Sequence, residues 1–409
     1  RAMALSRDQL ARLRFDSGVL EVVVGGQSAI DVQESLGIRS VEEAARFLDC
    51  YGFNVENPIE KAELFGHYQE AVSFIRKSFL YPHNPDGPKI EIPRKLTELS
   101  DPMQLLIVAS QPETSGTAPG ASLPHWACAI LKVMHTIGHI DKDVRTSHFS
   151  DIQTQIMDRV YKFIHNEDGR LFLGKDARDS ELVELVAFHS KPKKSRDSLI
   201  LKMLHKPENV AEDIFDRVGI RFVTKTRFDA LRVVKFMRDR YIIMPANIKP
   251  SRSRNSLVDL AKFRETLNQA LEQASTGDAT FDAVVERLRA VCDGGISSEG
   301  RGTNPFTSKE YASIQFTCRQ LIKITNPLYE DIKALKSYKD SPLPMEVANV
   351  INRIELKNMQ KEVRFFYPVE VQLYDDASHK SAVEGEAAHS QYKKGQLLAA
   401  MKRVMRGLL

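Results

Sequence analysis

Between Val363 and Gly395 the spacing of apolar residues changes period, and that change limits the folds open to the chain more than any other feature. Val363, Phe365, Tyr367, Val369, Val371 and Leu373 alternate with other side chains, the two-residue repeat of a strand with one face in a core. Glu370 and Gln372 then share the opposite face. From Asp376 the apolar residues Ala377, Ala382, Ala387, Ala388 and Tyr392 fall among charges at helical spacing, so the chain leaves a strand and packs a helix back on it. A carboxylate and an amide two residues apart on one strand face mark a candidate site. Taken alone, the same residues fit an edge strand with a solvated polar face.

The rest of the chain divides near residue 150. Residues 4 to 150 read as a helical scaffold or regulatory domain, with periodic apolar positions in 40–48, 59–79 and 102–110 and a Ser/Thr/Gly/Pro loop at 111–122. Pro124 to Ile140 is its strongest helix, with Ala127, Ile130, Leu131, Met134 and Ile137 on one face. His135 and His139 are four apart on that helix, a spacing a metal could use. Lys132 and Lys142 share their face and would repel a cation, and the run lacks the glutamate of a zincin.

From Asp151 to 409 the period alternates between strand and helix. A helix to His165 leads to a hairpin at GRLFLG and a strand over Leu182 to His189. Lys191, Lys193, Lys194 and Arg196 then crowd four cations ahead of a helix that carries Ser198 and Lys202; a basic loop opening a helix suits a phosphate. Asp216 stands at the mouth of the next strand and Arg221 five residues on, at opposite parity, so a bend is needed for both to reach one ligand. An amphipathic helix over Thr226 to Arg240 follows, then two more over Leu257 to Ala274 and Ala279 to Cys292, and the Gly/Ser loop GGISSEGRGTN. Lys249, Arg252 and Arg254 add cations before that pair.

A chain of 409 residues, 42% of them hydrophobic, can bury two or three cores. A net charge of +4 with pI near 8.7 suits a polyanionic ligand and falls short of a nucleic-acid-binding footprint. Cys50, Cys128, Cys292 and Cys318 form no C-x-x-C pair, which signals neither zinc nor disulfides and fits the cytoplasm. There is no apolar run near 18 residues and no signal peptide, and Arg1-Ala2-Met3 reads as a trimmed end.

The run PVEVQ, with H-x(5)-G-x-AAH-x-x-YK-x-G after a short gap, closely resembles the end of the synthetase domain of RelA/SpoT-type alarmone synthetases. Glu370, Gln372, His379, Gly385, Ala387, Ala388, His389, Tyr392, Lys393 and Gly395 fall in register. Three further runs occur in the family's order. Lys194, Ser198 and Lys202 match its R-x-K...S...K ATP-binding run, Asp216 and Arg221 its F-D-x-x-x-x-R-I-V strand, and Tyr311 and Ser313 its NGYQSLHTT. The departures are Tyr374 for a basic residue, Pro192 for an arginine that Lys191, Lys193 or Arg196 would replace, Lys309-Glu310 for Asn-Gly, and Gln315 for histidine. A second alignment sets Arg254 at the tyrosine position; a strand pattern after Tyr311 favours the first. The family's hydrolase domain is not recognisable, since His67 and His125 precede Tyr68 and Trp126 instead of aspartate.

The resemblance implies a nucleotidyltransferase-like mixed β-sheet flanked by helices, an α/β (α+β) fold, interrupted by insertions at about 251–306 and 326–360. It implies a magnesium-dependent pyrophosphokinase that moves the β,γ-pyrophosphate of ATP to the ribose 3′-hydroxyl of GDP or GTP. Asp216 and Glu370 would hold Mg2+, with Gln372 and Arg221 beside them; Lys191, Lys193, Lys194, Arg196, Ser198 and Lys202 would serve ATP. Tyr311, Ser313, Gln315, Lys249, Arg252 and Arg254 would serve the acceptor. Transfer to an adenine nucleotide or a tRNA 3′ end, and a non-catalytic nucleotide sensor, are the competing expectations. The basic helix over Leu397 to Leu409 would dock on the domain or on a second subunit, and no membrane partner is expected.

Overall fold

A computed structural model describes residues 17–31, 37–112, 118, 120–176, 178–191, 195–206, 218–294, 312–338, 342–384 and 386–409, as backbone alone at 17, 144, 384 and 386–392. The chain divides into two compact units, 1–146 with 194–214 and 386–409, and 147–193 with 215–385.

The first unit is helical. Its Leu123–Asp141 helix is capped by Ser122, whose side chain accepts from the His125 amide at 3.4 Å, and it buries Trp126, Ile130, Val133 and Ile137. Tyr68, Phe74 and Ile75 of the Pro58–Ser78 helix join that core. So do Ile200, Met203 and Leu204 of the Arg196–His205 helix and Ala400, Met401 and Val404 of the Glu386–Val404 helix. The unit therefore does not stop near 150. Two later amphipathic helices bring apolar faces that the first 146 residues accommodate, and apolar area removed from water stabilises at about 25 cal/mol per Å². Arg403 fastens them: its guanidinium donates to the Leu204 and Lys206 carbonyls at 2.6 Å each, at the end of a helix where a cation is favoured, and pairs with Asp31.

The second unit is a mixed α/β unit built on one seven-stranded sheet of order β1-β2-β3-β4-β7-β6-β5. β1 (Ile164–Glu167) and β2 (Arg170–Leu173) form the expected hairpin, turning through Asp168 (φ 51°) and Gly169 (φ 76°), the pair of positive φ angles that matches strand twist. β3 (Val183–Ser190) pairs antiparallel with β2 and with β4 (Val218–Thr224). β7 (Glu362–Asp375) lies parallel to β4 and antiparallel to β6 (Ile314–Thr325), which carries the short β5 (Arg254–Asn255) on its far side.

β7 is thus central, and every residue from Tyr367 to Asp375 is buried. The edge-strand reading of its polar face does not hold. On the apolar face, Val369 packs with Ile152 and Ile156 of the Phe149–Tyr161 helix. Val371 and Leu373 pack with Ile220, Phe222, and Val233, Phe236 and Met237 of the Arg227–Asp239 helix. The first expected insertion holds the Leu260–Thr276 and Phe281–Asp293 helices, and the second the Leu328–Ser337 and Met345–Arg353 helices. Among the described residues no helix is long and apolar enough to cross a membrane.

Candidate functional site

Register across the sheet gathers the polar face into two rows. Arg254 stands opposite Gln315, Gln315 opposite Gln372, Gln372 opposite Arg221, and Arg221 opposite His189. Paired residues point to the same side, so these five side chains form a line across β5, β6, β7, β4 and β3. At about 4.8 Å per strand it spans roughly 19 Å. The neighbouring row runs Thr317, Glu370, Gly219, and there the Lys191 amide donates to the Gly219 carbonyl at 2.8 Å.

Glu370 is the node. It is 8% exposed and Gln372 is 7% exposed, and three donors converge on its carboxylate: Lys191 Nζ on Oε2, Gln315 Nε2 on Oε1, and Gln372 Nε2 on Oε2 at 3.4 Å. A buried carboxylate needs such partners to offset its lost hydration. Arg221 donates to Gln372 Oε1 through Nε at 3.2 Å and a terminal nitrogen at 3.1 Å, so Gln372 must turn its amide N–H groups toward Glu370. The Arg221 guanidinium also lies 5.2 Å over the Tyr374 ring, a cation over an aromatic face. Tyr374 meets His379 edge-on at 5.9 Å, and His379 stacks on His189 at 5.7 Å. Burial first, then the charges of Arg221 and His189, lower the His379 pKa.

On the outer side of β6 the two candidate acceptor segments meet. Arg254 and Asn255 pair with Gln315 and Ile314, and the Ser256 amide donates to the Ser313 carbonyl at 2.9 Å. Ser313 and Gln315 of the first alignment and Arg254 of the second therefore lie on paired segments. The Lys249 amide donates to the Thr317 carbonyl at 2.9 Å, and the Arg252 amide to the Lys249 carbonyl at 3.0 Å. Asp216, Lys193, Lys194 and Tyr311 lie outside the described residues.

Arg196, Ser198 and Lys202 belong to the helical unit. Ser195 caps their helix, accepting from the Ser198 amide at 3.3 Å, and Lys202 lies in its last turn. Arg196 forks between two carboxylates, on both oxygens of Glu70 and on Asp141 at 2.6 and 2.8 Å. Asp141 also meets His67 Nε2 at 3.1 Å. Burial pushes the Asp141 carboxyl up, but the hydrogen bonds from His67 and Arg196 outweigh it and hold it well below the usual carboxylate range. Beside this cluster, the His135 and His139 rings meet edge to face at 4.4 Å, and the Tyr51 hydroxyl bonds His135 Nδ1. Burial, then the His139 charge, lower the His135 pKa to about 4. Among the described residues no three His, Cys, Asp or Glu side chains gather to hold a metal.

Gly219, Thr317 and His189 belong to the site although nothing in their local sequence names them. The nearest cue is Gly219 itself, a glycine inside the apolar run VGIRFV, a common mark of close approach by another group. Comparison of the chain with protein-family models, with curated proteins and with solved structures returns no match.

Proposed function

We propose that the polar rows of the sheet unit bind nucleotides, and that the chain transfers the β,γ-pyrophosphate of ATP to the ribose 3′-hydroxyl of a guanine nucleotide, GDP or GTP. One observation carries the reading. Gln315, Gln372 with Glu370, and Arg221 come from three stretches far apart in sequence, each singled out there, and they stand on adjacent strands, in register, on one face. On this reading the unit is a nucleotidyltransferase-like synthetase fold, and the resemblance to RelA/SpoT-type synthetases supplies the reaction.

The chemistry suits these groups. The 3′-oxygen attacks the β-phosphorus, the bond from that phosphorus to the α,β-bridging oxygen breaks, and AMP leaves with the electron pair. Glu370, aimed by Gln315 and Gln372, orients the hydroxyl and takes its proton; Arg221 meets charge on the phosphates. Magnesium commonly takes one or two protein carboxylates and completes its shell with phosphate oxygens and water. Glu370 can be one such ligand, and the metal would neutralise charge on the transferred group. Positioning supplies much of the rate in such reactions.

The purified 409-residue chain, labelled ATP, magnesium and a panel of GDP, GTP, ADP and tRNA test the reading. Label should move to the guanine nucleotides. Movement to ADP or tRNA would shift the acceptor, and binding without any transfer would leave a sensor.

A further inference from the structure

Lys191 occupies a place that the reaction does not explain. Its amide is fixed to Gly219, and its side chain crosses β4 to reach Glu370 on β7. The path exists because residue 219 has no side chain: a Cβ there would stand 2.5 Å from Lys191 Cδ. The Lys191 side chain is 24% exposed and that of Glu370 10%, so the pair sits where water screens it poorly. Around them stand the neutral Gln315, Gln372 and Thr317. Among the described residues of the two rows Glu370 is the one carboxylate, and an ammonium of the same chain neutralises it.

We propose that Lys191 is the built-in counter-ion of Glu370, and that a divalent cation enters the site only by displacing it. The displacement couples two events. The carboxylate exchanges one positive charge for two, and the freed ammonium, tethered at Gly219, becomes available to a phosphate. A cation alone gains Glu370 but strands Lys191; a cation carried by a polyphosphate satisfies both. The inference rests on the proposed nucleotide site for its purpose, while its geometry stands on the ion pair and the glycine.

Mn2+ is the probe, with the full chain and no nucleotide, and free Mn2+ read by electron paramagnetic resonance. Lys191→Met should bind Mn2+ roughly ten-fold more tightly than wild type, about 1.4 kcal/mol. Gly219→Ala, which pushes the lysine off its path, should show a smaller gain. Adding Glu370→Gln to either should abolish the gain. Should Lys191→Met fail to fold, Lys191→Gln and Gly219→Ala carry the same comparison, with melting temperatures as the check on folding. Equal or weaker Mn2+ binding in the folded lysine variants overturns the proposal. Tighter Mn2+ binding without pyrophosphate transfer to any acceptor keeps the counter-ion and overturns the proposed function; transfer without tighter binding does the reverse.

Discussion

The helical unit and the sheet unit each hold a buried or half-buried cluster of charged side chains, and the two are balanced differently. In the helical unit acids and bases close on one another: Arg196 on Glu70 and Asp141, His67 on Asp141, Lys142 on Glu63. In the two rows of the sheet unit Glu370 is the single carboxylate among the described residues, against Lys191, Arg221 and Arg254. A cluster whose acids and bases bind one another holds helices together; one with cations left over offers itself to an anion. Charge balance therefore separates a structural network from a candidate site more sharply than the presence of polar residues does.

The largest expected effect tests the sheet side. Glu370→Gln keeps the shape and removes the charge, and turnover in pyrophosphate transfer should fall about a thousand-fold, some 4 kcal/mol of barrier, with the melting temperature little changed. Turnover near wild type would remove Glu370 from the chemistry.

The next tests the helical side through pH. His135 titrates near 4 in the folded chain against an ordinary 6.5, so between those values the unfolded chain binds more protons and stability rises with pH. Stability should be complete above about 6.5 and be lost as pH falls toward 4, by at most about 3 kcal/mol. Urea titrations across that window should show the slope, and His135→Gln should flatten it.

Arg221→Ala should raise the KM for nucleotide roughly ten- to a hundred-fold, about 1.4–2.7 kcal/mol. Arg221→Lys should recover little, because a point charge cannot hold Gln372 through two nitrogens. Full recovery by lysine would reduce Arg221 to bulk electrostatics.

The smallest effect decides Arg196, which the sequence reading gives to a phosphate and the structure to two carboxylates. Its side chain is 40% exposed, so solvent screening limits the loss in Arg196→Met to about 1–2 kcal/mol of stability. ATP affinity should change less than the melting temperature implies. A large loss of ATP affinity in the folded variant would return Arg196 to the triphosphate.

What the sequence shows and what it hides follows the range of the interactions. The alternation in 363–373 gives β7 and both of its faces, and GRLFLG marks the hairpin, of which it supplies the turn glycine and β2, because each is set by neighbours along the chain. Register is not local. Nothing near Gln315 shows that it faces Gln372, nor anything near Gly219 that Lys191 will lie over it, and without register the rows cannot be drawn. The same blindness explains the unit boundary. The apolar faces of the Arg196–His205 and Glu386–Val404 helices are visible, but the core they enter lies at the other end of the sequence.

The order of synthesis adds a consequence. Arg221 and Gln372 are 151 residues apart, and Asp31 and Arg403 are 372 apart. At ribosomal rates of about 5–20 residues per second, β4 waits some 8–30 s for β7, holding Ile220 and Phe222 without the strand that covers them. The helical unit waits longer, for Met401, Val404 and Met405. Neither unit can close its core before these late segments have been made, so apolar surface of both stays open to water for as long as the intervening residues take to emerge.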